Sequence, residues 1–342
     1  MKRYEITIKP LSMFGTPLKG DTLFGQFCWQ AAYDNQLLDG GLEKWIACYG
    51  ERPFAVFSSA WPKAVRDGRS FYALKRPDMP LIRLFPDTSG DKKRLMKERK
   101  KNAAKKWLLI PEDLCFSLDG GYLTDQELLP LVASNSCEGA SGKRYDRKKQ
   151  SWKEEFLQPH NTINRMTMTT GEGMFAPYTQ PAEVFRPGME LTIFAVIDEE
   201  ATDVTRLRDG LKRIGDFGFG KDASTGWGRF EVTEVTEKPW SGELRANACY
   251  TLGPSVPKRG FFREVFFTPF TRYGRHGDVM ARSRNPFKTP VIMAEEGAVF
   301  MPTTSDVFSK PYLGCAVRDV SKSLPETVVQ GYAPYLPFAL EI

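Results

Sequence analysis

The sequence predicts an α+β protein built on a split βαβ, ferredoxin-like arrangement, and three stretches predict it. An alternating strand opens the chain over 4–12. An amphipathic helix covers 204–215, and an alternating strand over 229–237 follows it across a glycine-rich loop. Strand, helix, a long middle, helix, glycine loop and strand is the order such a unit needs once a hairpin is placed in the middle.

Each element rests on its own residues. In "YEITIKPLS" (4–12), Tyr4, Ile6 and Ile8 alternate with Glu5, Thr7 and Lys9, which predicts a half-buried strand. Next, Asp21 or Thr22 offers an N-cap, and Leu23, Phe24, Phe27, Cys28 and Ala31 recur at helical spacing up to Gly40–Gly41. Residues 52–86, rich in proline and aromatics, read as irregular strands and loops. Two basic stretches, 91–107 and 142–153, read as solvated or mobile loops; between them "LIPEDL" and "TDQELLPLVAS" suggest a short strand and a helix. In "VTRLRDGLKRIG" (204–215), Val204, Leu207, Leu211 and Ile214 share one face, and Gly215 is the expected cap. "RFEVTEVTE" alternates again, "KPWSGEL" (238–244) reads as a linker, and the rest has room for a smaller domain of strands and turns. The expected domains are therefore 1–237 and 245–342.

Composition narrows the class. The 342 residues are 41% hydrophobic, enough for a packed core. Lys and Arg number 48 against 42 Asp and Glu, a mildly basic net charge of +6. The six cysteines form no CxxC pair, and with two histidines there is no zinc-like spacing, so reduced thiols and a cytoplasmic location are expected. The opening residues carry no long apolar segment, and no apolar run reaches spanning length, so no membrane partner is expected.

The glycine loop "GDFGFGKDASTGWGRF" (215–230) fits neither common nucleotide motif. Its glycines follow a helix and precede a strand, the reverse of the dinucleotide fingerprint, and Gly226 is not followed by the lysine a P-loop requires. Two readings stand level on chemistry: a capped helix end with a tight turn, or a cradle for nucleic acid. The cradle has Lys221, Ser224, Thr225, Trp227 and Arg229 among glycines that admit close backbone approach and exposed amides. Trp227 either stacks on a base or packs inside.

The polar arm "HNTINRMTMTTGEGMF" (160–175) is either an exposed hairpin or a finger laying Asn161, Asn164, Arg165, Thr167 and Met168 along a ribose-phosphate chain. Residues 258–288 form a basic island whose alternate aromatics read as core and whose cations imply a surface attractive to a polyanion. His160 and His276 are the only histidines available to a metal-free nuclease, and neither has an evident local partner.

These stretches together resemble a known family. "GTPLKGDTLFGQFCW" is similar to the strand-to-helix entry of CRISPR-associated RAMP proteins, and "GDFGFGKDASTGWGRF" to their G-rich loop, here GxGxxxxxGxG. "HNTINRMTMTTGEGMFAP", "PVIMAEEGAVF" and "VVQGYAPYLPF" fit one branch, subunit four of the type III-A Csm complex, over the whole chain with the basic insertions weakest. The resemblance implies two ferredoxin-like (RRM-type) domains with basic insertions, and a non-catalytic subunit without cofactor or metal. It implies contact with the 5′ handle of the crRNA, between the large Cas-ten subunit and the first Csm backbone subunit, in antiviral defence. Carried over, the RNA-binding residues are Gly218, Gly220, Lys221, Ser224, Gly226, Trp227, Gly228 and Arg229 in the loop. Asn161, Asn164, Arg165, Thr167 and Thr169 join them from the arm, with Lys19 as an outlying member. Asp222 departs from the pattern; an acid beside phosphate is expected to point away or to cap the turn. The alternative reading is a metal-independent RAMP endoribonuclease that processes the crRNA precursor.

Overall fold

The computed structural model describes residues 1–86, 92–133, 151–240 and 245–341. The first part of the chain runs β1 (Lys2–Pro10), α1 (Gly20–Tyr33), α2 (Gly41–Cys48), β2 (Ala55–Arg66), β3 (Arg69–Lys75), α3 (Leu81–Leu84), α4 (Lys92–Ala104), β4 (Trp107–Pro111) and β5 (Gly121–Leu123). It continues with α5 (Asp125–Ala133), β6 (Lys153–His160), β7 (Tyr178–Phe185), β8 (Leu191–Ile197), α6 (Val204–Phe217) and β9 (Phe230–Glu237). Seven of these strands form one antiparallel sheet in the order β5-β4-β3-β2-β8-β1-β9, while β6 and β7 form a separate two-stranded sheet. Its centre, β2-β8-β1-β9 with α1 and α6, has the connectivity β1-α1-β2-β8-α6-β9 that the sequence predicts.

The C-terminal part contributes β10 (Ala248–Thr251), β11 (Phe262–Phe266), β12 (Pro269–Arg272), β13 (Val291–Ala294), β14 (Val299–Pro302), β15 (Tyr312–Gly314) and β16 (Tyr332–Phe338). A five-stranded antiparallel sheet is ordered β11-β14-β10-β16-β15, and β12 pairs with β13. Its first four strands repeat the 2-3-1-4 order of the first sheet's centre, yet among the described residues the helical segments between them are only 3-10 turns.

The first sheet is covered on both faces. Ile6, Ile8, Phe24, Phe27, Leu207, Leu211 and Ile214 pack between it and the helices. Trp61, Tyr72 and Phe194 on its other face join Tyr250, Val299 and Leu336 of the second sheet. This explains one departure from expectation. β1 is buried on both faces, because Glu5 turns toward the second core, where it accepts hydrogen bonds from the Tyr72 hydroxyl (2.7 Å) and pairs with Lys63 and Lys238 (both 3.0 Å).

Other departures have local causes. α1 begins at Gly20 with Lys19, which offers no acceptor, at the N-cap, so Asp21 falls inside the first turn and pairs with Arg272 (2.8 Å); the helix ends at Tyr33, and Asp34 caps the following turn through Gln36 N–H (2.9 Å). Residues 52–86 are more regular than expected. Asp67 (φ +51°) and Gly68 (φ +73°) close a two-residue hairpin between β2 and β3, the Asp-Gly signal for that turn. The basic stretch 91–107 is mostly the exposed helix α4, whereas most of 142–153 lies outside the described residues, as do Cys137 and part of the linker.

A half-buried charge cluster fastens the sheets together. Lys19 reaches Glu295 (2.9 Å) and Glu296 (3.2 Å), and Lys75 reaches Glu295 (2.8 Å) and Asp78 (3.2 Å). Burial pushes the Glu295 carboxyl up, but the two ammonium groups outweigh it and hold it at about 2. A carboxyl bound more weakly to protons in the fold than in the open chain stabilises the fold above its ordinary value of 4.5 and loses that contribution as pH falls toward 2. Stability measured by denaturant melts is expected to drop over pH 4.5 to 2, and Glu295→Gln should flatten that part of the profile.

Candidate nucleic-acid interface

The site grows from the end of α6. Asp203 caps this helix through Arg206 N–H (2.9 Å), and Leu207, Leu211 and Ile214 bury its apolar face. The helix runs past the expected cap to Phe217. Gly215 sits inside it, against the Phe230 carbonyl, and Gly218 (φ +107°) is the residue that turns the chain out. The loop then closes on itself: Phe219 N–H donates to the Gly228 carbonyl (2.9 Å), and Gly228 has φ +72°. A Cβ on Gly228 would stand 2.1 Å from the Phe219 carbonyl, so only glycine fits the stem.

The stem is held by the turn after β1. Ser12 Oγ accepts from Arg229 N–H (2.8 Å), the Met13 carbonyl from Gly228 N–H (2.7 Å), and Thr16 Oγ1 from Lys221 N–H (2.9 Å). Inside the loop the Asp222 carbonyl accepts from Thr225 N–H (3.0 Å), Trp227 N–H (3.3 Å) and the Thr225 hydroxyl (2.8 Å). Asp222 therefore caps the turn through its main chain, at φ +60°.

These bonds revise the cradle. The amides of Gly218, Phe219, Lys221 and 225–229 are spent within the protein, which leaves those of Gly220, Asp222, Ala223 and Ser224 at the tip. Trp227 is buried, its ring against Gly15 and 6.2 Å from the His160 ring, so packing wins over base stacking. Gly218 and Gly228 are also buried and act by shaping the loop. Lys221, Ser224, Gly226 and Arg229 are exposed, and neither cation has an ion pair among the described residues.

The polar arm docks on the same turn. β6 and β7 form a regular hairpin from Lys153↔Phe185 to His160↔Tyr178. Phe14 and Glu183 exchange two backbone hydrogen bonds (2.9 and 2.8 Å), and the Phe14 ring lies 5.4 Å from Phe185 and 6.4 Å from Phe219. Phe14 thus touches the arm and the loop at once. At the base, His160 stacks on Tyr178 (5.2 Å, 11°) beside Trp227, and its Nε2 is buried with no hydrogen-bond partner among the described residues.

Beyond His160 the arm is exposed. Asn164 Oδ1 accepts from Met166 N–H (2.9 Å), the Asn164 carbonyl from Met168 N–H (2.7 Å), and the Thr167 and Thr169 hydroxyls meet at 3.0 Å. Asn164, Thr167 and Thr169 therefore hold the bend in shape, while Asn161 and Arg165 project freely. Met166 and Met168, the latter at φ +57°, are 92% and 75% exposed, so the arm offers flexible apolar tips to a ligand.

Lys19 leaves the set. Its ammonium is committed to Glu295 and Glu296 and lies 4.7 Å over the Phe270 ring. His276 is buried with Nε2 2.7 Å from Ser321 Oγ; burial and the Lys288 charge hold its pKa below the ordinary histidine value. Ser12, Phe14 and Thr16 were not among the expected residues. The signal was present as "SMFGT", two hydroxyl residues around an aromatic and a glycine right after a strand. No group of His, Cys, Asp or Glu among the described residues is arranged to hold a metal ion.

The sheet, its two helices and the glycine loop make a mixed α/β fold shared with solved chains of type III-A CRISPR complexes. The particular fold is that of Csm4. A chain of the Csm3-Csm4 subcomplex in the type III-A CRISPR-Cas interference complex matches over 99% of this chain and 100% of its own, with TM-score 0.57 and 14% identity. Chains of the Csm1-Csm4 cassette match as fully: 100% and 99% with pppApA (TM-score 0.54, 16% identity), and 99% and 98% with cA4 (0.53, 17%). At such identities the likeness is one of fold. No family model and no curated protein matches the sequence.

Proposed function

We propose that this chain is the fourth subunit of a type III-A CRISPR (Csm) effector, in which it grips the 5′ handle of the crRNA and bridges the large Cas-ten subunit to the backbone filament for antiviral defence. The observation that carries the reading is convergence. Glycine loop, β1–α1 turn and arm meet at Phe14, with Lys221, Arg229 and Arg165 turned to solvent around them. The loop tip and its cations take phosphates, and the arm with its methionine tips bends the strand. Full-length likeness to chains solved with Csm1 and with Csm3 supports those two neighbours. The repeated strand order supports reading the two sheets as two ferredoxin-like (RRM-type) domains, 1–237 and 245–342.

The subunit holds RNA rather than cutting it. His276 inside the fold, bonded to Ser321, is withdrawn from any bound strand. Repeat RNA incubated with the purified protein in EDTA should stay intact; cleavage lost on His160→Ala would establish the nuclease instead.

The handle assignment is tested by Lys221→Ala/Arg229→Ala in a salt titration of handle-RNA binding. Each lost contact to single-stranded phosphate lowers the slope of log K against log salt by about 0.7, so the pair should lower it by roughly 1.4. An unchanged slope in a folded variant defeats the assignment.

A further inference from the structure

The helix α4 is left unused by that reading. It has seven Lys and Arg against one acid, Glu98, a net of six that equals the net charge of the whole chain. The remainder of the protein is thus balanced, and its excess charge sits on thirteen residues. No residue of α4 is fully buried among those described, and Arg94, Lys97, Arg99, Lys100 and Lys101 form no salt bridge there. The Glu127 carboxyl is lowered by hydrogen bonds at Thr124 and, more weakly, by Lys105 and Lys101.

This helix is held in place. Arg76 donates to the carbonyls of Asn102 (3.1 Å), Ala103 (3.3 Å) and Lys105 (2.7 Å), which anchors its C-terminal end. Leu95 and Asn102 are half-buried on one side. At 3.6 residues per turn, Lys93, Lys97, Lys100 and Lys101 fall in an arc of about 100° on the opposite side. Like charges one turn apart repel and weaken such a helix, and a bound polyanion relieves that repulsion.

We infer that α4 is a second nucleic-acid contact, separate from the glycine loop, that binds sugar-phosphate backbone without reading bases. Its outer face has the chemistry for that partner and lacks it for the others. Protein interface cores are depleted in lysine and built on apolar anchors, and an interfacial membrane helix needs an apolar face; here only Met96 is an exposed hydrophobe. Distance separates the two sites. β4, which α4 enters, stands five strand positions from β9, about 24 Å at roughly 4.8 Å per strand. A strand held at both spans several nucleotides.

The test uses the full chain with Arg94→Gln/Lys97→Gln/Lys100→Gln/Lys101→Gln, since glutamine keeps helix propensity while removing charge. Fluorescein-labelled random-sequence single-stranded RNA and DNA, both without the handle, are titrated from 50 to 300 mM salt. Binding at 50 mM should weaken at least ~10-fold on both, and the salt slope should fall by about 2–3. Replacing the three lysines by arginine should restore it. The Lys221→Ala/Arg229→Ala chain should retain this binding, so failure of the handle assignment and failure of this one are distinguishable. An unchanged slope with native circular dichroism overturns the inference, and so does a loss confined to a polyglutamate peptide or to anionic vesicles.

Discussion

Gly228→Ala is expected to destabilise the protein by about 2–5 kcal/mol and to abolish handle-RNA binding at physiological salt. Two costs combine. Alanine at φ +72° pays the left-handed penalty of roughly 1–2 kcal/mol, and its Cβ, 2.1 Å from the Phe219 carbonyl, forces the stem apart at about 1–3 kcal/mol more. The Phe219–Gly228 bond and the Gly228–Met13 bond are lost together, so the tip carrying Lys221 no longer sits on Thr16. Gly226→Ala is the control. Its φ is +91°, but nothing lies within 4 Å of the added Cβ, so it should cost only the backbone penalty and leave the stem closed. Thermal melts of both variants with handle-RNA titration check this. Equal effects at the two positions would show that the close approach does not set the loop's shape.

Phe14→Ala is expected to cost about 3–5 kcal/mol and to uncouple the arm from the loop. Phe14 is 1% exposed, and its ring is shared by Phe185 of β7 and Phe219 of the loop. Truncation leaves a cavity between them that the strands cannot close without breaking the Phe14–Glu183 pairing. Hydrogen exchange should then rise across β6 and β7 while the α1 and α6 core stays protected. Handle binding should weaken more than Lys221→Ala alone weakens it, because two contact surfaces lose their common footing. Protection unchanged in the arm would mean that β6–β7 is held by other contacts, such as the Lys153–Glu183 pair.

Much of this protein is legible locally. Period-two alternation marks β1 and β9, and 3.6-residue spacing marks α6, because each of these elements buries a face against a layer the sequence itself announces. The order of these elements already determines the four-strand centre of the first sheet, and the glycine pairs around Lys221 already mark a tight loop. The basic run at 92–104 misled as a loop because a helix polar on every side has no period for the eye to find.

The tertiary structure alone decided which residues of the candidate site face outward. Lys19 and Lys221 look alike in sequence, yet one is committed to Glu295 across 276 positions and the other projects to solvent. Trp227 is interior because Gly15 makes room for it, and the amides of Lys221, Gly228 and Arg229 are spent because Ser12, Met13 and Thr16 lie 205–217 positions away in sequence but beside them in space. A periodic pattern reports the layer a residue packs on. It does not report which distant chain segment completes that layer, and charge, hydrogen-bond capacity and exposure are all settled there.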